Sequence, residues 1–199
     1  MGAAEKIDLI SVDDYLAGEL ASPVKHEYLG GIVYAMAGAS NAHNRIATNI
    51  TGSLLVQLRG KRCQPFNSDT KVRVRLPTQW RFYYSDALVV CRPNPPHESF
   101  QDDPVVIVEV LSEGTRRIDE GEKKDAYLTI PSLCVYILVE QDLPAAVVFR
   151  RGEQGFARET FRGREAVIPL PEIEAELSLA EIYDRAEFNR QSGSEGEAG

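Results

Sequence analysis

Long apolar runs are missing from this chain. Nowhere in its 199 residues does one approach the roughly 20 needed to span a bilayer, so no membrane partner is expected. The opening Met1-Gly2-Ala3-Ala4-Glu5-Lys6 lacks the basic-then-apolar layout of a secretory signal, which predicts a cytoplasmic location. Cysteine is scarce. Cys63, Cys91 and Cys134 lie far apart, and their spacing matches neither a zinc site nor a disulfide framework. Buried free thiols in a reducing compartment are the expectation. Internal repeats and a second-domain boundary are also absent. Residues 1–190 therefore read as one domain with a sizeable core, and the low-complexity acidic tail 191–199 as disordered.

Positive charge is in deficit as well, at a formal net of −8, which argues at first against a nucleic-acid partner. The distribution says something different. Residues 42–92 carry 9 basic groups and 2 acidic ones, whereas residues 1–41 carry 2 basic and 6 acidic, and residues 93–199 carry 11 basic and 22 acidic. A basic stretch holding Arg45, Arg59, Lys61, Arg62, Lys71, Arg73 and Arg75 could present a positive surface despite the global sign. Solvated strand and helix faces are the other reading of the same charges.

Periodicity gives an alternation of short elements. Ser11 opens a short amphipathic helix, and segments 25–28 and 32–37 read as a strand pair around Gly30-Gly31. Ile46, Ile50, Leu54 and Leu58 recur every fourth residue and mark a long helix over 44–59. Strands follow at 61–66, 70–76, 83–91 and 105–111, then a charged helix from about 115 to 129 that Pro131 ends. Strands at 134–139 and 145–150, a turn at 151–155, an edge strand at 167–169 and a helical turn at 179–184 close the chain. The order predicts a mixed α/β fold, a central sheet flanked by helices, with an N-terminal hairpin extension.

Two carboxylates sit where none is comfortable. Glu109 interrupts the apolar run Val105-Val106-Ile107-Val108-Glu109-Val110-Leu111, and Asp86 sits in Tyr83-Tyr84-Ser85-Asp86-Ala87-Leu88-Val89-Val90. An ionised carboxylate in a buried strand costs several kcal/mol unless a cation or hydrogen bonds offset it. Two on neighbouring strands point to a cation between them, most economically a hard divalent metal, Mg²⁺ or Mn²⁺, with Asp86 and Glu109 as ligands. Period-two alternation places Glu109 with Ile107 and Leu111, and Asp86 with Tyr84 and Leu88. Asp119, Lys123 and Tyr127 share one face of the following helix, with Lys124 turned away into solvent. A carboxylate pair holding a metal beside an ammonium suits hydrolysis of a phosphodiester.

These pieces carry a resemblance. Glu27-Tyr28-Leu29-Gly30-Gly31, Ala39-Ser40-Asn41-Ala42-His43, Tyr84-Ser85-Asp86, Val108-Glu109-Val110-Leu111-Ser112, the Asp119/Lys123/Tyr127 spacing and Ile130-Pro131-Ser132-Leu133, in this order, resemble the Uma-two endonuclease family, which is similar to the PD-(D/E)XK nuclease superfamily. The resemblance covers roughly residues 11–185. It implies a restriction-endonuclease-like core with Asp86 in the "PD" position and Glu109 in the "(D/E)" position. Ser85 replaces the proline, and Leu111 stands where the superfamily's strand lysine would be. Lys123 is then the migrated lysine, Glu27 a third ligand or water-positioner, and His43 a phosphate contact or catalytic accessory. Glu27 also reads as an exposed strand residue and His43 as a structural one. Tyr127 reads as packing, and Asp102 and Asp103 as solvated.

The expected function is hydrolysis of DNA phosphodiester bonds by a Mg²⁺-dependent endonuclease, acting as a homodimer paired through the N-terminal hairpin or the strand near 145–150. Two alternatives keep the fold. One is a catalytically inactive nucleic-acid-binding or assembly module, favoured by Leu111 and the overall acidity. The other is a structural protein in which Asp86 and Glu109 only satisfy buried polar networks.

Overall fold

The computed structural model describes residues 8–188; the expected tail at 191–199 lies outside them. Ser11 accepts a hydrogen bond from the Asp14 N–H and starts α1 (Val12–Ala21). Gly30 and Gly31, with φ of 59° and 106°, turn β1 (His26–Leu29) into β2 (Ile32–Ala35). Ser40 then caps α2 (Asn41–Leu58), and β3 (Gln64–Asn67), β4 (Lys71–Arg75), β5 (Trp80–Tyr84) and β6 (Ala87–Val90) follow. Next come β7 (Phe100–Gln101), β8 (Pro104–Leu111), α3 (Arg116–Asp119), α4 (Glu122–Tyr127) and β9 (Val135–Glu140). The last elements are β10 (Ala145–Gly152), β11 (Gly155–Arg162), β12 (Val167–Leu170), β13 (Ala175–Ser178) and α5 (Leu179–Ile182).

The strands form two stacked mixed sheets and a separate pair. One sheet runs β2-β1-β5-β4-β7, the other β11-β10-β9-β8-β6-β3, and β12 pairs with β13. Three apolar layers hold them. Ile46, Ile50, Leu54 and Leu58 of α2 pack on Val89, Val106, Val108, Val110 and Ile137, one face of the six-stranded sheet. Its other face, with Leu88, Ile107, Leu111, Tyr136 and Leu138, meets Val72, Val74 and Tyr83 of the five-stranded sheet together with Tyr127 of α4. Tyr15 of α1 covers the far side of that sheet at Tyr28 and Phe82. Each fully buried Leu, Ile or Val side chain contributes about 1.5–3 kcal/mol, so alternation along β8 feeds two cores at once.

Four expectations change. The apolar run 83–91 is two strands in two sheets, broken at Ser85-Asp86. Tyr83 and Leu88 both enter the shared core, an odd separation that one period-two strand cannot provide. Tyr84 and Leu88 therefore lie in different sheets and are not two positions on one strand face with Asp86 between them. The helix expected over 115–129 is divided into α3 and α4 at Gly121, where a Cβ would lie 2.7 Å from the Arg117 carbonyl oxygen.

Segment 145–150 is not an edge, because β10 pairs with β9 on one side and β11 on the other. The largely exposed β11 gave no alternation to read. Finally, Cys63 and Cys91 form a disulfide, whereas Cys134 is free. The Gln64↔Val90 register of β3 and β6 brings these two cysteines opposite each other, a non-local pairing that spacing along the chain does not reveal.

Candidate active site

The break at Ser85-Asp86 is what positions the acid pair. Ala87 pairs with Val108 across the antiparallel β6–β8 ladder, so Asp86, one residue outside that ladder, comes to rest beside Glu109. The Asp86 N–H donates to Glu109 Oε2 at 3.3 Å, and the Val110 N–H donates to Asp86 Oδ2 at 2.7 Å. Both carboxylates thus leave the sheet toward one point, each anchored by a main-chain donor.

Lys123 arrives from α4 and is almost fully buried. Its Nζ donates to the Tyr84 carbonyl at 2.7 Å and lies 3.0 Å from Glu109 Oε1, 3.2 Å from Glu27 Oε1 and 3.7 Å from Asp119 Oδ1. Glu27 also accepts from the Tyr84 N–H at 3.2 Å, so the backbone just before Asp86 is gripped from both sides. His43, in the first turn of α2, places Nε2 at 3.3 Å from Asp86 Oδ2, and its Nδ1 has no hydrogen-bond partner. The Tyr127 hydroxyl donates to Glu109 Oε1 at 3.3 Å. All five predicted site residues, Asp86, Glu109, Lys123, Glu27 and His43, line one cleft of about 920 Å³.

Charge in this cleft is not balanced. Burial pushes Glu109 well above the usual carboxylate range against the pull of Lys123, and Asp119 and Asp86 push the same way. Asp119 is raised too, again by burial opposed by Lys123. Burial works against the charged Lys123, but Glu109, Glu27 and Asp119 outweigh it and hold the ammonium above the usual lysine range. At His43 burial disfavours the imidazolium, yet the hydrogen bond and charge of Asp86 lift it above the ordinary histidine value. Four carboxylates therefore face one ammonium and one imidazole.

That surplus tests whether a divalent metal fits. Among the described residues no group of three or more His, Cys, Asp or Glu is arranged as a ready cage. Mg²⁺ does not require one, because it keeps several waters and takes one or two carboxylates, and it prefers oxygen donors. Asp86 and Glu109 supply the donor chemistry, and the uncompensated negative charge supplies the attraction. The residues fit the ion.

Lys124 lies outside the cluster, 3.6 Å from Asp125 Oδ1 and over the Phe149 ring. Asp119, seen in the sequence only as a helix-face neighbour of Lys123, is a buried member of the site. Its spacing from Lys123 was the available signal. The expected basic surface divides. Lys71 is buried, Arg73 and Arg75 pair with Asp102, and these three lie on β4, away from the exposed Arg45, Arg59, Lys61 and Arg62 of α2 and the turn after it. Asp102 is accordingly an ion-pair partner and not a solvated loop residue.

The crystal structure of a putative nuclease belonging to DUF820 from Anabaena variabilis superposes with a TM-score of 0.68 at 16% identity, covering 87% of this chain and 97% of that one, which shows a shared restriction-endonuclease-like fold. An uncharacterised protein of Synechocystis is 32% identical over 147 residues, 73% of this chain and 76% of its own. A second from the same organism is 29% identical over 136 residues, 67% of this chain and 76% of its own. The profile of the Uma2 family, described as "Putative restriction endonuclease", matches residues 12–181, the stretch that contains every residue of the cleft cluster, and the chain belongs to that family.

Proposed function

We propose that this chain is a metal-dependent endodeoxyribonuclease, hydrolysing phosphodiester bonds of DNA at the Asp86/Glu109 site, in the cytoplasm and as a homodimer. The observation that carries the reading is the convergence of Asp86, Glu109 and Lys123 from three elements on one cleft with surplus negative charge. Asp86 and Glu109 would hold Mg²⁺ or Mn²⁺. When bound, the ion polarises the phosphate and lowers the pKa of its water.

The chain's own residues do the rest. Lys123 stays protonated among its carboxylates and offers positive charge to the phosphate oxygens as negative charge develops. Glu27 holds the Lys123 ammonium toward the acid pair. His43 fixes the Asp86 carboxylate from the helix side and can donate a proton there. Tyr127 orients Glu109 through its hydroxyl. The test is cleavage of plasmid and oligonucleotide DNA with Mg²⁺ or Mn²⁺, expected for the wild type and lost in Glu109→Gln. Absence of cleavage with either ion, alongside calorimetric evidence of no metal binding, would sink the reading.

One observation favours the structural alternative, in which the acids only satisfy a buried polar network. Lys123 is buried and already shared among three carboxylates and a carbonyl, as a purely structural ammonium would be. A metal titration that leaves the protein unchanged would select it. Light scattering tests the dimer, and a monomer at micromolar concentration would favour nicking or single-strand cleavage.

A further inference from the structure

The floor of the cleft is acidic, whereas its rim sets exposed aromatic, aliphatic and basic side chains beside Glu113 and the Arg81-paired Glu122. Tyr34 on β2 is the cross-strand partner of Glu27 on β1. Directly paired residues project from the same side of a sheet, so the Tyr34 side chain leaves on the face from which Glu27 reaches Lys123. It is 51% exposed, and Ile118 of α3, which also lines the cleft, is 49% exposed. Phosphate hydrolysis gives neither side chain a task. Arg117, next to Ile118, also lines the cleft and is exposed. Its neighbour Arg116 is tied to Glu120 and Glu140, while Arg117 enters none of the ion pairs found among the described residues.

An uncovered aromatic ring, an aliphatic side chain and an uncommitted guanidinium around one opening form a surface for a base and a phosphate, not for a bare phosphate. The depth of the acids points the same way. The Glu109 side chain is 4% and the Asp86 side chain 16% exposed, so a scissile phosphate has to reach down into the cleft, which a flexible single strand does more readily than a rigid duplex.

We propose that the cleft takes an unpaired nucleic-acid strand, with a base stacked on Tyr34 and Ile118 opposite it, and with Arg117 holding a phosphate beside the scissile one. This rests on the nuclease reading for the identity of the floor, but its recognition elements are separate from the acids. It also accounts for the lack of a continuous basic surface, since a strand inserted into a cleft does not require one.

The experiment measures binding, by fluorescence anisotropy, of labelled oligodeoxyuridylate, oligouridylate and a hairpin duplex to the metal-free full chain at low salt. Either single strand should bind at least about ten-fold more tightly than the duplex, the tighter of the two naming the sugar. Tyr34→Ala should cost about ten-fold or more in affinity, the range for loss of one base stack, and Tyr34→Phe should restore it. Arg117→Ala should lower the slope of log affinity against log salt by about 0.7, one phosphate contact on a single strand.

Equal affinity for duplex and single strand, or indifference to Tyr34→Ala, would overturn the proposal. The two readings fail separately. Tyr34-dependent strand binding without cleavage in Mn²⁺ removes hydrolysis and keeps the strand. Cleavage of duplex plasmid at an unchanged rate by Tyr34→Ala keeps hydrolysis and removes the strand.

Discussion

Asp102 and Glu109 are both carboxylates beside a cation, and their surroundings move them in opposite directions. Asp102 accepts from Arg73 Nε and Nη2, both at 2.6 Å, from Arg75 Nη2 at 3.2 Å and from Asn94 Nδ2 at 3.1 Å. Burial pushes it upward, but Arg73, Asn94 and Arg75 outweigh that and hold it below the usual carboxylate range. Glu109 has one ammonium, which it shares with Glu27 and Asp119, and burial holds it well above that range. At Asp102 the donors match the acceptor, as in a structural pair. The cleft keeps more negative charge than its cations offset, which costs stability unless something else binds there. An acid left uncompensated by its own fold marks a place for an external cation.

The largest effect should come from neutralising each acid in turn. Glu109→Gln is expected to abolish cleavage while raising the unfolding midpoint of the metal-free protein. Added Mg²⁺ or Mn²⁺ should stabilise the wild type and not the variant. Asp86→Asn should also abolish cleavage and metal stabilisation. Differential scanning calorimetry with and without metal checks both, and a metal-free Glu109→Gln that melts below wild type would contradict the charge surplus. Next comes Lys123→Met, expected to lower kcat by roughly 10²–10³, as for loss of one transition-state donor, with metal affinity little changed. Lys124→Ala should leave kcat alone. Equal losses in the two lysine variants would remove the distinction between them.

Much of this contrast is legible in the sequence. Glu109 announces itself because a carboxylate in a β-branched run needs a reason, and Lys123 because it follows Asp119 by four positions, a spacing that survives the break at Gly121. Period-two reading also placed Glu109 with Ile107 and Leu111 correctly, since β8 is regular throughout. Asp86 was found for the wrong local reason. Its run looks like one strand because apolar residues continue through it, while the change of sheet at Ser85-Asp86 depends on stacking partners far along the chain. Asp102 and the Cys63–Cys91 pair were misread for the same cause. Their partners are set by the β4–β7 and β3–β6 ladders, and no periodicity along one strand encodes them. The exposed β11 failed for lack of any burial pattern.

A middle-sized effect tests the disulfide, which joins the residue just before β3 to the residue just after β6, the strand that runs straight out of Asp86. Closing a loop with a sequence separation of 28 removes chain entropy from the unfolded state worth about 3–4 kcal/mol. Cys63→Ser with Cys91→Ser, or reduction of the wild type, should lower stability by roughly that amount in a denaturant melt and leave Asp102 undisturbed. A cleavage rate that falls with reduction would show that the β6 anchor positions Asp86 as well as stabilising the sheet. An unchanged denaturation midpoint would mean that the pair stays reduced in solution.

The smallest expected effect is the pH dependence of the two acids, and it separates them by sign. Asp102 has a lowered folded-state pKa, so its contribution is present above the unfolded aspartate value near 3.9 and is lost as pH falls through the folded value. Asp102→Asn should therefore destabilise at neutral pH by roughly 1–2 kcal/mol, suited to a partly exposed bidentate pair, and the deficit should shrink on acidification. Glu109 has a raised folded-state pKa, so its favourable contribution is complete below the unfolded glutamate value near 4.3 and is lost as pH rises through the folded one. In metal-free protein, Glu109→Gln should then flatten the loss of stability on the neutral side, where Asp102→Asn changes only the offset. Midpoints measured in urea across that pH span give both curves. Parallel curves for the two variants would show that the acids experience equivalent surroundings, and the contrast between a matched pair and an uncompensated one would fail.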